Sequence, residues 1–271
     1  MTLSAIVAGA WRLAEWGWTP AERLRWIEGN VALGITSFDH ADIYGGYRCE
    51  TLFGEALALA PALRQRLQLV SKCGIQLVSP ARPGNTMHHC DTSAAHVRTS
   101  VEMSLRALRT DHLDLLLIHR PDALMDFDEL ARCFEALRQE GKVLQFGVSN
   151  FTPAQLAPLH RRVALATNQI ELSPLHREPL HDGTLDQCQD LGLRPMIWSP
   201  LAGGRIFSSD AADAQRVRAV LTELERETGA GWVTLLMAWL LRHPSRPHPV
   251  IGTRRIEMAR EAAAALQLQM D

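Results

Sequence analysis

Leu113-Asp114-Leu115-Leu116-Leu117-Ile118 is apolar at every position except Asp114, with no polar face alternating through it. A short run of this kind reads as a strand covered on both faces, which is how strands of a parallel sheet are placed. Its surroundings agree. An amphipathic helix from about Ser93 to Leu108 precedes it, a second from about Asp126 to Gln139 follows, and Gln145 to Val148 reads as the next strand. Working outward, the pattern repeats in both directions. Strand-like runs fall at Ala5–Ala8, Thr36–Phe38, Leu67–Ser71, Leu165–Ile170, Pro195–Trp198 and Pro249–Ile251. Helical stretches separate them, the first opened by Thr19-Pro20-Ala21-Glu22, which combines a capping box with proline at the first helical position.

Eight strands alternating with helices over 271 residues predict a (β/α)8 TIM barrel built as a single domain over residues 1–271, in preference to an open doubly wound sheet. Composition narrows the function classes. The 30 acidic and 28 basic residues give a net charge of −2, against a nucleic-acid partner, which calls for a basic excess. The longest apolar run, Val233–Leu241, is too short to span a bilayer, so no membrane partner is expected. Five scattered cysteines, none spaced CxxC, and a start without signal-peptide character point to the cytoplasm.

In a barrel of this kind the chemistry sits on the segments following the strands. Asp39 and Tyr44 follow the second strand, Lys72 the third and His119 the fourth. A tyrosine at its reference pKa of about 10 is a poor proton donor near neutrality. A nearby lysine favours the phenolate and lowers that value, an aspartate holds the lysine, and a histidine can hydrogen-bond an oxygen gaining charge. Such a set suits protonation of a carbonyl oxygen while hydride arrives from elsewhere. No side chain carries a hydride, so a cofactor is required.

These residues resemble the aldo-keto reductase superfamily. Its Asp-x-Ala-x-x-Tyr-Gly signature matches Asp39–Gly45, its lysine matches Lys72, and its Leu-Leu-x-His pattern matches Leu116–His119. Gly147–Phe151, Gln169 and Ser199–Leu201 match further family positions, in register along nearly the whole chain, with a flavour most like the bacterial YdhF-type oxidoreductases. The resemblance implies NADPH-dependent reduction of aldehydes or ketones, with Tyr44 as acid assisted by Lys72, Asp39 and His119. It implies that Ser149, Asn150 and Gln169 hold the nicotinamide carboxamide and that Trp198 stacks on the ring. Ser199, Leu201, Gly203 and Arg205 fall at the pyrophosphate, and Gly252, Thr253, Arg254 and Arg255 at the adenosine phosphate. NADP(H) is therefore expected, NAD(H) less so. Met258 stands where many members carry an arginine, which leaves Arg254, Arg255 or Arg260 to replace it.

Blander readings stay beside these. Asp39 and Lys72 alone could be a structural ion pair, Trp198 barrel packing, Gly203-Gly204 a turn, and Arg254-Arg255 a solvated helix start. Trp11 and Trp18 follow the first strand and are expected to line the substrate pocket, with packing against the first helix as the alternative. His88-His89-Cys90-Asp91 reads as a surface loop, and no metal is expected. Competing functions are a cofactor-binding redox sensor or partner-binding protein on the same fold, as in the potassium-channel β subunits, and a metal-dependent barrel hydrolase. The partner expected is a small carbonyl compound, with the protein itself a monomer or weak dimer. Because relatives extend further at the C-terminus, the substrate mouth is expected to be open unless Leu77–Cys90 covers it.

Overall fold

A computed structural model describes residues 3–268 and 270. Strand β1 (Val7–Gly9), β2 (Ser37–Asp39), β3 (Gln68–Cys73), β4 (Leu113–Ile118), β5 (Val143–Ser149), β6 (Asn168–Glu171), β7 (Met196–Trp198) and β8 (His248–Ile251) pair in sequence order. All neighbours are parallel, and β8 pairs with β1 to close the ring, Val7 opposite Val250 and Ala8 opposite Ile251. The expected (β/α)8 barrel is therefore what the chain forms. Among the described residues no helix is long and apolar enough to cross a membrane.

Helices α1 (Pro20–Ala32), α2 (Cys49–Leu57), α3 (Ala94–Leu108), α4 (Phe127–Gln139), α5 (Pro153–His160), α6 (Thr184–Asp190), α7 (Ala212–Thr228), α8 (Trp232–Leu241) and α9 (Ile256–Ala264) cover the outside. The α1 capping box forms as its sequence predicts: Thr19 N donates to Glu22 Oε2 at 2.8 Å and Glu22 N to Thr19 Oγ1 at 3.3 Å. Two apolar regions result. Val7, Val70, Leu115, Leu117, Met196 and Val250 fill the barrel interior, while the larger cluster lies between strands and helices. The one polar residue of β4, Asp114, faces outward and is satisfied there, its Oδ2 accepting from Leu69 N at 2.8 Å and from the Arg64 guanidinium at 2.9 Å. Buried polar groups are tolerated when so paired.

Two local expectations are corrected. The sixth strand begins at Asn168 rather than Leu165, because Met196 N donates to the Thr167 hydroxyl at 3.1 Å instead of a strand carbonyl. The segment after β3 is not a plain loop. Ile75–Gln76 pairs antiparallel with His89–Cys90, making the stem of an arm.

Candidate active site

Above the apolar filling, the inward side chains at the C-terminal rim turn polar. Lys72 on β3 is fully buried and its Nζ donates to Asp39 Oδ1 and Oδ2 at 2.8 and 2.7 Å, to His40 O at 2.8 Å and to Tyr44 Oη at 3.0 Å. Asp39 also accepts from Gln169 Nε2 at 2.8 Å, a contact across the barrel from β2 to β6. Tyr44 opens a tight turn, Tyr44–Tyr47, in which Gly45 has φ +60°. A Cβ at Gly45 would stand 2.7 Å from both Ala14 Cβ and Cys49 Sγ, so glycine is required by conformation and by space. The turn thereby brings the phenol back over the β2–β3 seam. His119 follows β4, and its ring meets that of Tyr44 edge-on, centroids 5.8 Å apart. Tyr44, Lys72, Asp39 and His119 thus lie together.

The electrostatics differ from the sequence expectation at one point. Tyr44 is held above its ordinary pKa, because burial of the phenolate outweighs the opposing Lys72 charge, which Asp39 partly cancels. Burial works to lower the Lys72 pKa, but Asp39 and Tyr44 overcome it and keep the ammonium charged. Burial, with Lys72 and Arg120 nearby, pushes His119 well below the usual imidazole range, so it is neutral. Its Nδ1 is buried without a partner among the described residues.

Next to this group, Trp198 Nε1 donates to Asn150 Oδ1 at 2.9 Å, Asn150 Nδ2 donates to Ser149 Oγ at 2.8 Å, and Ser149 Oγ donates to Gln169 O at 3.0 Å. The indole, the amide and the hydroxyl form one platform beside His119. The backbone beyond it is in the left-handed region at Asn150, Ser199, Ala202, Gly203 and Gly204, three of them residues with side chains. Positive φ at such residues is strained, and strain of this sort collects at functional sites. Leu201 is half-buried in that turn, whereas Arg205 turns outward and pairs with Asp213 at 3.4 Å. Arg254 and Arg255 are exposed after β8, and Gly252 and Thr253 precede them. A pocket of 420 Å³ lies between these segments, lined by Gly204, Phe207, Trp232, Val233, Arg255, Met258 and Glu261.

The tryptophans after β1 part company. Trp11 is 57% exposed with the Arg12 guanidinium 5.2 Å from its ring, while Trp18 packs on Trp16, which meets Trp26 of α1. The arm at 75–90 is fastened beside the tyrosine turn: Leu77 N donates to Tyr47 Oη at 2.9 Å and Arg82 covers the Tyr47 ring at 4.4 Å. It flanks the Tyr44 edge of the mouth. Among the described residues no group of three or more His, Cys, Asp or Glu is placed to hold a metal ion. Sequence reasoning missed Phe207, Trp232 and Glu261, which come together only where α8, α9 and the Arg205–Ser208 turn pack against one another. It also missed Tyr47, whose one signal was its place in the Tyr-Gly-Gly-Tyr stretch.

A closed parallel barrel with this rim defines a class of protein: the chain belongs to the aldo/keto reductase family, whose profile matches residues 5–271. It is a carbonyl oxidoreductase by class. Over 270 residues it is 52% identical to the oxidoreductase YdhF of Escherichia coli, covering 98% of this chain and 89% of that protein. It is 43% identical over 274 residues to the 6-dehydroglucose reductase of Agrobacterium fabrum, covering 100% and 91%. An aldo-keto reductase from Klebsiella pneumoniae, solved in complex with NADPH, is 28% identical with a TM-score of 0.81, covering 99% of this chain and 87% of that one.

Proposed function

We propose that this protein reduces small aldehydes or ketones with NADPH, Tyr44 giving the proton to the carbonyl oxygen. The observation that carries the reading is the buried Lys72, whose one ammonium bridges both Asp39 oxygens and the Tyr44 hydroxyl. The donor set fits a nicotinamide coenzyme. An amide-and-indole platform (Ser149, Asn150, Gln169, Trp198) stands at the reacting end, and an open pocket with Arg255 lies past the Ser199–Arg205 turn. When bound, the reduced nicotinamide supplies the hydride that no side chain here can.

The residues do the rest. With its pKa raised, Tyr44 keeps its proton in the resting state but is a weaker acid than free tyrosine, so donation depends on Lys72 stabilising the phenolate as it forms. As the carbonyl oxygen gains charge the phenol O–H bond breaks and its proton passes to that oxygen, and the phenolate left behind is met at once by Lys72 Nζ. Asp39 fixes the ammonium at that point. Neutral His119 orients the same oxygen by hydrogen bonding rather than competing as an acid. Arg254 and Arg255, unpaired among the described residues, would meet a 2′-phosphate and favour NADP(H) over NAD(H), with Met258 contributing apolar wall.

Tyr44→Phe tests the assignment. Turnover should fall by at least about 100-fold, while NADPH still quenches tryptophan fluorescence with an affinity close to that of the unaltered protein. Near-normal turnover in the variant would remove Tyr44 from the acid role. A cofactor-binding sensor would instead show NADPH binding with negligible turnover before any substitution.

A further inference from the structure

We propose that the mouth selects carbonyl substrates carrying a negative charge, with Arg120 as the residue that determines this preference. The inference rests on the carbonyl-reductase reading above and adds the substrate class. Arg12, Arg48, Arg82 and Arg120 stand on the segments following β1, β2, β3 and β4, one on each. None of the four forms an ion pair among the described residues, which they share with most of the 26 arginines; Arg23, Arg64, Arg98, Arg138, Arg162 and Arg205 are the ones that do. What sets the four apart is placement: they follow four consecutive strands and so stand on one side of the mouth. Clefts lined by one sign of charge concentrate ligands of the other.

Three of the four are tied down by their own surroundings. Arg12 lies on Trp11, Arg48 Nε donates to Gly45 O at 3.0 Å, and Arg82 lies on Tyr47. Arg120 has no hydrogen-bond partner among the described residues. From the end of β4 its guanidinium reaches to 6.0 Å from the centroid of Trp198 on β7, and so stands over the opening. It is the chain neighbour of His119 and lies on the same rim as Tyr44.

Among the described residues none of the nearby acids forms an ion pair with Arg120, and only Asp39 is paired with a cation; Asp91 and Asp122 accept from neutral donors and keep their charge. Asp39 is held by Lys72 and Gln169, Asp91 accepts from Ser93 N, and Asp122 accepts from Thr92 and from Leu124 N. Glu171, the register partner of Trp198, makes no ion pair with Arg120. Phosphates of the coenzyme are expected beyond β7 and β8, the other half of the rim. A short oxo-acid, or an aldehyde bearing a phosphate ester, would set its anion on Arg120 while its carbonyl meets Tyr44.

Matched substrate pairs test this with NADPH consumption as the readout: succinate semialdehyde against butanal for a carboxylate, glyceraldehyde 3-phosphate against glyceraldehyde for a phosphate. The unaltered enzyme should favour the anionic member of at least one pair in kcat/KM, and the favoured pair identifies the anion. In Arg120→Gln that preference should fall about 10- to 100-fold through KM, the range of a lost charge-assisted hydrogen bond. Arg120→Lys should keep part of it. Equal kcat/KM within both pairs, or a preference that both variants leave unmoved, overturns the inference and leaves the reductase reading standing. Turnover of none of the four compounds overturns the inference and counts against that reading too.

Discussion

Glu50 carries a carboxyl group into the space between β3 and α3, where Ser71 Oγ donates to it at 2.5 Å and Ser104 Oγ at 3.0 Å, with no cation in contact. Burial pushes its pKa from 4.5 up to about 6, the two hydroxyls and Lys72 only partly resisting. The contrast with Asp39 is instructive, since that carboxylate is equally buried but directly bound to Lys72. Removing one partner of such a pair strands a charge and costs about 3–5 kcal/mol. For Glu50 the raised folded pKa has a definite sign. The protonated form is favoured in the fold, so its contribution is fully present below pH 4.5 and is lost as pH rises through about 6. The loss amounts to about 2 kcal/mol. Glu50→Gln, which cannot ionise, should therefore gain about 2 kcal/mol on the unaltered protein between pH 4.5 and pH 8 in urea unfolding. A difference that does not change with pH would refute the assignment. The rim tetrad was legible in the sequence because strand ends in a barrel converge on one face. Glu50 and His40 were not, because their burial depends on packing between barrel and helices, and the same desolvation reversed the expected direction at Tyr44.

Helices α2 and α3 meet at Gly54, where an added Cβ would run into the Ala107 carbonyl oxygen and stand 2.9 Å from the Leu108 carbonyl carbon. Both obstacles are backbone and cannot swing aside. Gly54→Ala should therefore cost about 1–3 kcal/mol or more by overpacking, lowering Tm by roughly 2–12 °C in a chain of this size. Gly84→Ala on the exposed arm meets nothing within 4 Å and should change stability by less than about 0.5 kcal/mol. Equal Tm values for the two variants would show that the helices part freely. Element order followed from local chemistry that the sequence displays: the Thr19–Glu22 box and the apolar run at 113–118 act within a few residues. The hairpin at Ile75–Gln76 and His89–Cys90 escaped that reading, because its strands are too short to show periodicity and twelve residues separate them. What holds the arm is tertiary, through Tyr47.

The barrel as a whole is closed by pairing its first strand with its last, and His248 lies on that seam. Its ring Nδ1 hydrogen-bonds to Ser4 O at 2.9 Å, and its backbone N donates to Pro195 O at 2.8 Å, joining β8 to both neighbours. Burial, reinforced by Arg194, lowers its pKa from 6.5 to about 4. A histidine with a depressed folded pKa is neutral in the fold but takes a proton in the unfolded chain. Stability therefore falls as pH drops from 6.5 toward 4, by about 3 kcal/mol at the lower end. His40, buried against Phe53 and depressed to about 3, acts in the same direction over a slightly wider range. The seam thus weakens in acid. His248→Gln keeps a polar group near Ser4 but has no proton to gain. Its unfolding free energy, measured in urea at pH 7, 5.5 and 4, should start lower than that of the unaltered protein and decline less steeply. The two curves should converge by about 3 kcal/mol at pH 4. Parallel curves would mean that His248 titrates alike in both states, and that the acid loss must then be sought at His40, which His40→Gln isolates in the same measurement.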